Sequence, residues 1–349
     1  MNEISERELK EIKDVVEKHG VQYVPANILR KILGFNTGVK SSFVIDHNGG
    51  VRATVFLIGW TLKSQSQEAT EYIEYVREAY MNASMVEPVS DVPDGKRHLY
   101  MDRRPPNSPY KNIAVYLFNV DDKKVLPISH KTPFTPENVN SGFSFESTVL
   151  IFRKEEVEKV LLHEMLHLLK KEGDIREWQS SSIEKLLDGC EERNGALYEA
   201  YVEFCAVLLM SVREIGHNQA ITLRGVLNKH LEFTAKQIAK IVFHFGATNM
   251  KEFFEMTESK KICLNRDTHV FAYFIVKGAL LYITVFAATS SRSTKPTRIM
   301  GMTYAHIIRT MTRGVNARGF HNMINSKIAE IIDTGEDIAG SSMRMTPEY

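Results

Sequence analysis

The run LLHEMLHLLKKEG, residues 161–173, sets two histidines four positions apart with a glutamate directly after the first. In an α-helix positions i and i+4 share a face one turn apart, so His163 and His167 can aim two imidazoles at one point. That bite suits a tetrahedral zinc ion, and a catalytic zinc keeps one position for water. Glu164 stands about 100° further round the helix. From there it can approach a bound water and take its proton as the water attacks a carbonyl. The competing reading is a buried, leucine-rich helix whose polar residues have no chemical role. Against it stands the cost of burying two imidazoles and a carboxylate with nothing to pair them.

Such a site needs a third protein ligand. Lys170 to Trp178 contains no histidine, which argues against an extended H-E-x-x-H-x-x-G-x-x-H arrangement. The run NGALYEAYVEFCAVLLMSV, residues 194–212, places Glu199 and Glu203 four apart on one helical face, among residues that are nearly all apolar or aromatic. Two carboxylates on a buried face call for cationic or hydrogen-bonding partners, and a zinc ion with an imidazole N–H supplies both. Glu199 is therefore expected as the third ligand and Glu203 as an acceptor that orients His163 or His167, with exchanged roles as the alternative. Glu191 and Glu192 read as solvated loop charges.

These side chains depend on elements that the pattern also suggests. Residues 4–18 read as a helix with Ser5 as N-cap and Glu8 three residues on. Residues 41–60 read as a hairpin turning at Asp46 to Gly50. A helical pattern over SQEATEYIEYVREAYMNAS follows, and then three strand candidates at 97–101, 112–118 and 147–153. From Lys154 onward helices are expected near 154–172, 196–215, 223–244, 250–257, 267–289, 303–313 and 321–333. Gly173 is the expected stop of the metal helix. The order predicts an α+β fold, a mixed α/β first part with a small sheet and then a mostly α-helical part, with the metal helix at the seam. The turn-rich SDVPDG suggests a boundary that divides 1–95 from 96–349, unless the chain is one unit.

Composition sets further bounds. The chain has 349 residues, 43% hydrophobic and 25% charged, long enough for a large core. Forty-four basic side chains against 43 acidic ones give a net charge of +1 and no reason to expect a nucleic-acid partner. Three widely spaced cysteines, Cys190, Cys205 and Cys263, form no C-x-x-C pair. They point to a reducing, intracellular setting, with Cys205 a small core residue. The charged N-terminus lacks the apolar core of a secretory signal. Val270 to Thr289 contains Lys277 and reads as a buried helix rather than a membrane span. Arg153 and Lys154 read as surface charges, with salt bridges to nearby carboxylates as the alternative, and His217, His230 and His244 as structural.

The His163–His167 pair and the Glu199-x-x-x-Glu203 pair together resemble the gluzincin group of zinc metallopeptidases. In that group the third ligand is a glutamate on a following helix, and an acidic residue four positions later often contacts a zinc histidine. The interval from His167 to Glu199 is longer here than in thermolysin-like members. The stretches NVNSGFSFESTVLIFRKEEVEKVLLHEMLH, LYEAYVEFCA and THVFAYFIVKGALL also resemble metallopeptidases of nucleocytoplasmic large DNA viruses, over roughly residues 110–290.

The resemblance implies a zincin-like domain with one zinc per chain, a protein or peptide substrate, and a location in host cytoplasm or virion. It also implies an oxyanion-stabilising tyrosine or histidine on a later helix. Tyr273 and His269 fit that role, with Tyr304 and His306 as a second pair. An edge strand ahead of the metal helix, here residues 140–146, would pair with substrate backbone. The expected activity is peptide hydrolysis by a zinc-bound water that Glu164 activates. The alternatives are a non-catalytic structural or virion protein that retains the fold, and a zinc hydrolase of a non-peptide bond.

Overall fold

Alternation of apolar and polar side chains over residues 38–58 and 112–118 sets up strands. The 3.6-residue apolar period of most of the remaining chain sets up helices. The computed structural model describes residues 1–46, 50–62, 66–89, 110–178, 183, 196–217, 220–259, 268–287 and 303–347. The expected strand at 97–101, Cys190, Cys263, Glu191 and Glu192 lie outside them. The fold is α+β, with a six-stranded mixed sheet. The chain divides into two units, and each draws on more than one stretch of sequence.

The first unit draws on Met1–Pro88, Gly95–Lys123 and Asn140–Lys171. Its elements are β1 (Asn2–Glu3), α1 (Glu6–Gly20), α2 (Ala26–Gly34), β2 (Gly38–Asp46), β3 (Val51–Ile58), α3 (Ser66–Ser84), β4 (Asn112–Phe118), β5 (Gly142–Phe145), β6 (Thr148–Ile151) and α4 (Val157–Leu168). The sheet order is β1-β2-β3-β4-β6-β5. β2 and β3 form the expected antiparallel hairpin, while β3, β4 and β6 run parallel. The parallel step from β3 to β4 is bridged by α3, since parallel neighbours need a long crossover.

Register decides which residues form each core. Phe56, Tyr116, Leu150 and Phe143 align across four strands. They pack with Leu9, Ile12, Val16, Ile28 and Ile32 of α1 and α2. Each such aliphatic side chain fully removed from water contributes about 1.5–3 kcal/mol. The capping box expected at Ser5 and Glu8 starts α1, with both reciprocal bonds present. On the other face α4 packs on β5 and β6. There Gly142 matters, because a Cβ would stand 3.0 Å from Val160 Cγ1 and 2.9 Å from the Leu150 carbonyl oxygen. Its missing side chain lets α4 lie close against the edge of the sheet.

The second unit draws on Val89–Asp94, Lys124–Val139 and Glu172–Tyr349. It is helical: α5 (Ala196–His217), α6 (Leu223–His244), α7 (Met250–Glu258), a π-helical turn (Phe271–Val276) that runs into α8 (Lys277–Ala287), α9 (Tyr304–Val315) and α10 (Arg318–Thr334). α6 packs on α10, α5 and α8, and the π turn packs on α5. Gly278 allows the close approach of α6, since a Cβ would meet Ile238 Cδ1 at 2.9 Å. The C-terminal segment is held by hydrogen bonds along its length. Leu126 N donates to Ser341 O at 2.8 Å and Met343 N to Lys124 O at 2.9 Å. Gln237 Nε2 donates to Arg344 O at 2.8 Å. No helix among the described residues is long and apolar enough to cross a membrane.

Candidate metal centre

α4 is buried on nearly every side, with Val160, Leu161, Leu162, Met165 and Leu166 all out of water. A helix of that kind belongs inside a core, so the polar residues on it are desolvated with it. It begins after Glu156, which takes a left-handed conformation at φ 58°. Its end differs from the sequence expectation. The residue that turns the chain is Lys170, at φ 51°, not Gly173. Lys171 N donates to Leu166 O at 3.0 Å and Lys170 N to His167 O at 2.8 Å. These are the two bonds of a Schellman motif.

Gly173 has a separate task. It also stands at positive φ, 71°, and a Cβ there would lie 2.1 Å from Tyr304 Oη and 2.4 Å from Val89 O. The room goes to Tyr304, whose hydroxyl accepts a bond from Asp174 N at 2.5 Å. Its ring meets Trp178 edge-on at 5.4 Å. Arg176 bonds the Asp174 side chain and holds that carboxyl down at about 2. Tyr304 is thus engaged with the loop at 173–178, whereas His306 is exposed.

His163 and Glu164 are each 6% exposed, and Glu199 is 8% exposed. His163 Nε2 and His167 Nε2 stand 3.1 Å apart. Their rings are inclined at 71° with centroids 4.8 Å apart. Ligand atoms of His163, His167 and Glu199 all lie within 4.8 Å of one another, so this group can hold a metal ion. Two nitrogens bound tetrahedrally at about 2.0–2.1 Å stand roughly 3.3 Å apart. The imidazole pair is close to that spacing, and two nitrogens with one carboxylate oxygen form a donor set that zinc accepts.

Glu203, one turn beyond Glu199, is fully buried, and its Oε1 stands 3.8 Å from Lys277 Nζ, which is also fully buried. This partner was not foreseen, although a lone lysine in an apolar run and a carboxylate on a buried face were the signals that could have found it. Tyr273 lies in the π turn, half-buried like His269. Tyr273 N donates to His269 O at 2.9 Å. Their rings meet edge-on at 6.1 Å. π turns recur at functional sites because the extra residue re-aims the side chains around it.

The expectation for Arg153 changes, while Lys154, Cys205 and the edge strand stand where the sequence put them. Arg153 is not a surface charge but is 2% exposed. Lys154 pairs with Glu68 at 3.5 Å and Asp121 at 3.2 Å. Cys205 is a buried thiol pushed up to about 12 by burial. His230 and His244 are buried, and His244 Nε2 donates to Thr132 O at 3.0 Å. β5 is the outermost strand beside β6, where an edge strand was expected. Comparison of the chain with protein-family profiles, curated proteins and solved structures finds no match.

Proposed function

We propose that the chain is a zinc metallopeptidase of the gluzincin type, with zinc held by His163, His167 and Glu199. The observation that carries this is the convergence of those three ligand atoms within 4.8 Å, with Glu164 next to the first of them in sequence. When bound, zinc supplies a Lewis acid that polarises a peptide carbonyl and makes a coordinated water more acidic. Glu164 takes a proton at its carboxylate and later passes it to the departing amine. Burial strengthens that exchange, because charges interact more strongly where water is excluded. Tyr273 or His269 donates a hydrogen bond to the developing oxyanion. The outer edge of β5 offers backbone groups that an extended peptide could pair with.

A peptide-library digest read by mass spectrometry tests the proposal. The parent is expected to cleave a subset of peptides, to stop when zinc is chelated, and to resume on reconstitution. His163→Ala and Glu164→Gln are both expected to be inactive, the second with its zinc retained. Equal cleavage by Glu164→Gln would contradict the assignment.

A further inference from the structure

Among residues 270–287 the one charged side chain is Lys277. Its ammonium is fully buried, 3.8 Å from Glu203 Oε1. It donates to Met345 O at 3.0 Å. It also stands 5.6 Å from the centroid of the Phe274 ring. Taking a carboxylate and an ammonium out of water costs several kcal/mol per ion before their attraction returns any of it. An apolar side chain of similar length would fill the space without that cost.

The placement of this pair gives it a use. Glu203 shares a helical face with Glu199 one turn away. Lys277 directly follows the π turn that carries Tyr273. Met345 belongs to the C-terminal segment, whose carbonyls also receive Gln237 and Lys240. One ammonium therefore ties the carboxylate face of α5 to the π-bulged helix and to the C-terminal segment.

We propose that Lys277 is a positioning residue of the metal centre. It fixes Glu203, and with it the α5 face that presents Glu199, while the Met345 carbonyl fixes Lys277. This rests on the reading of His163, His167 and Glu199 as zinc ligands.

The test is zinc affinity, measured on the full chain by competition with a chromophoric chelator. The set comprises the parent, His163→Ala, Lys277→Met, Glu203→Gln and the Lys277→Met/Glu203→Gln double variant. Ile324→Val serves as a control that lowers the melting midpoint without touching the pair. Partners of metal ligands typically tune affinity 10–100-fold, so Lys277→Met and the double variant are each expected to bind zinc at least about tenfold more weakly. The double variant is expected to lose no more than the worse single one, because it strands no buried charge.

Should Lys277→Met fail to fold, the neutral double variant decides. Parent-like affinity in it, or an equal loss in Ile324→Val, would overturn the proposal and leave the pair a packing feature. Zinc lost in His163→Ala but unchanged in the Lys277 variants would sink this inference alone. No zinc in the parent would sink the metal reading and this inference with it.

Discussion

Glu164 sits on a helix whose side chains are almost all buried, so an isosteric replacement tests its chemistry rather than its packing. Glutamine keeps the shape and loses the proton acceptor. If Glu164 is the general base, kcat/KM for a cleaved peptide is expected to fall by about 10²–10⁴-fold, with zinc content unchanged.

His244 gives a prediction of another kind. Burial holds its pKa below the ordinary 6.5, outweighing the Thr132 bond. The folded chain therefore prefers the neutral ring, while the unfolded chain takes up a proton near 6.5. The resulting stability is full above that value and declines as pH falls through it toward the lower folded pKa. Melting midpoints between pH 7.5 and 5.5 should fall more steeply in the parent than in His244→Gln, and equal slopes would contradict the assignment. The sequence pointed to the group of His163, His167 and Glu199 because spacing alone puts i and i+4 on one face. It also marked Lys277 and Glu203 as charges in apolar runs, but which of them meet depends on contacts between distant parts of the chain.

Helix ends and strand registers show the same division at the next scale. The β2–β3 hairpin, β4, and helices α5, α6 and α7 follow local patterns and fall close to where those patterns put them. The π turn does not, because Phe271–Val276 is apolar or aromatic throughout and an inserted residue leaves no periodic trace there. The end of α4 departs from its sequence pattern for a related reason. Glycine is the usual left-handed residue, yet here lysine occupies that position and the nearby glycine serves a close contact. This separates two substitutions. Lys170→Gly is expected to stabilise the fold by roughly 0.5–1 kcal/mol by relieving a left-handed non-glycine residue. Gly173→Ala is expected to destabilise it, since the new Cβ meets Tyr304 Oη and Val89 O. Chemical denaturation measures both, and the same sign for the two would contradict this account of the turn.

Across the whole chain, each unit draws on several separated stretches. Lys124–Val139 belongs to the helical unit, although the strands before and after it belong to the sheet. No composition shift marks these crossings, because strand pairing and tail docking are non-local. The C-terminal segment is the clearest case, with Met343 buried and its backbone bonded to Lys124. A ligand that binds only the folded chain stabilises it by mass action, by about 2.7 kcal/mol at a hundredfold excess over Kd. Added zinc should therefore raise the melting midpoint of the parent and leave that of His163→Ala unmoved. The most direct test of the central claim is elemental analysis of freshly purified parent beside His163→Ala. The account predicts about one zinc per chain, lost in the variant. A parent that holds no zinc even after reconstitution, or a variant that keeps it, would contradict the metal centre.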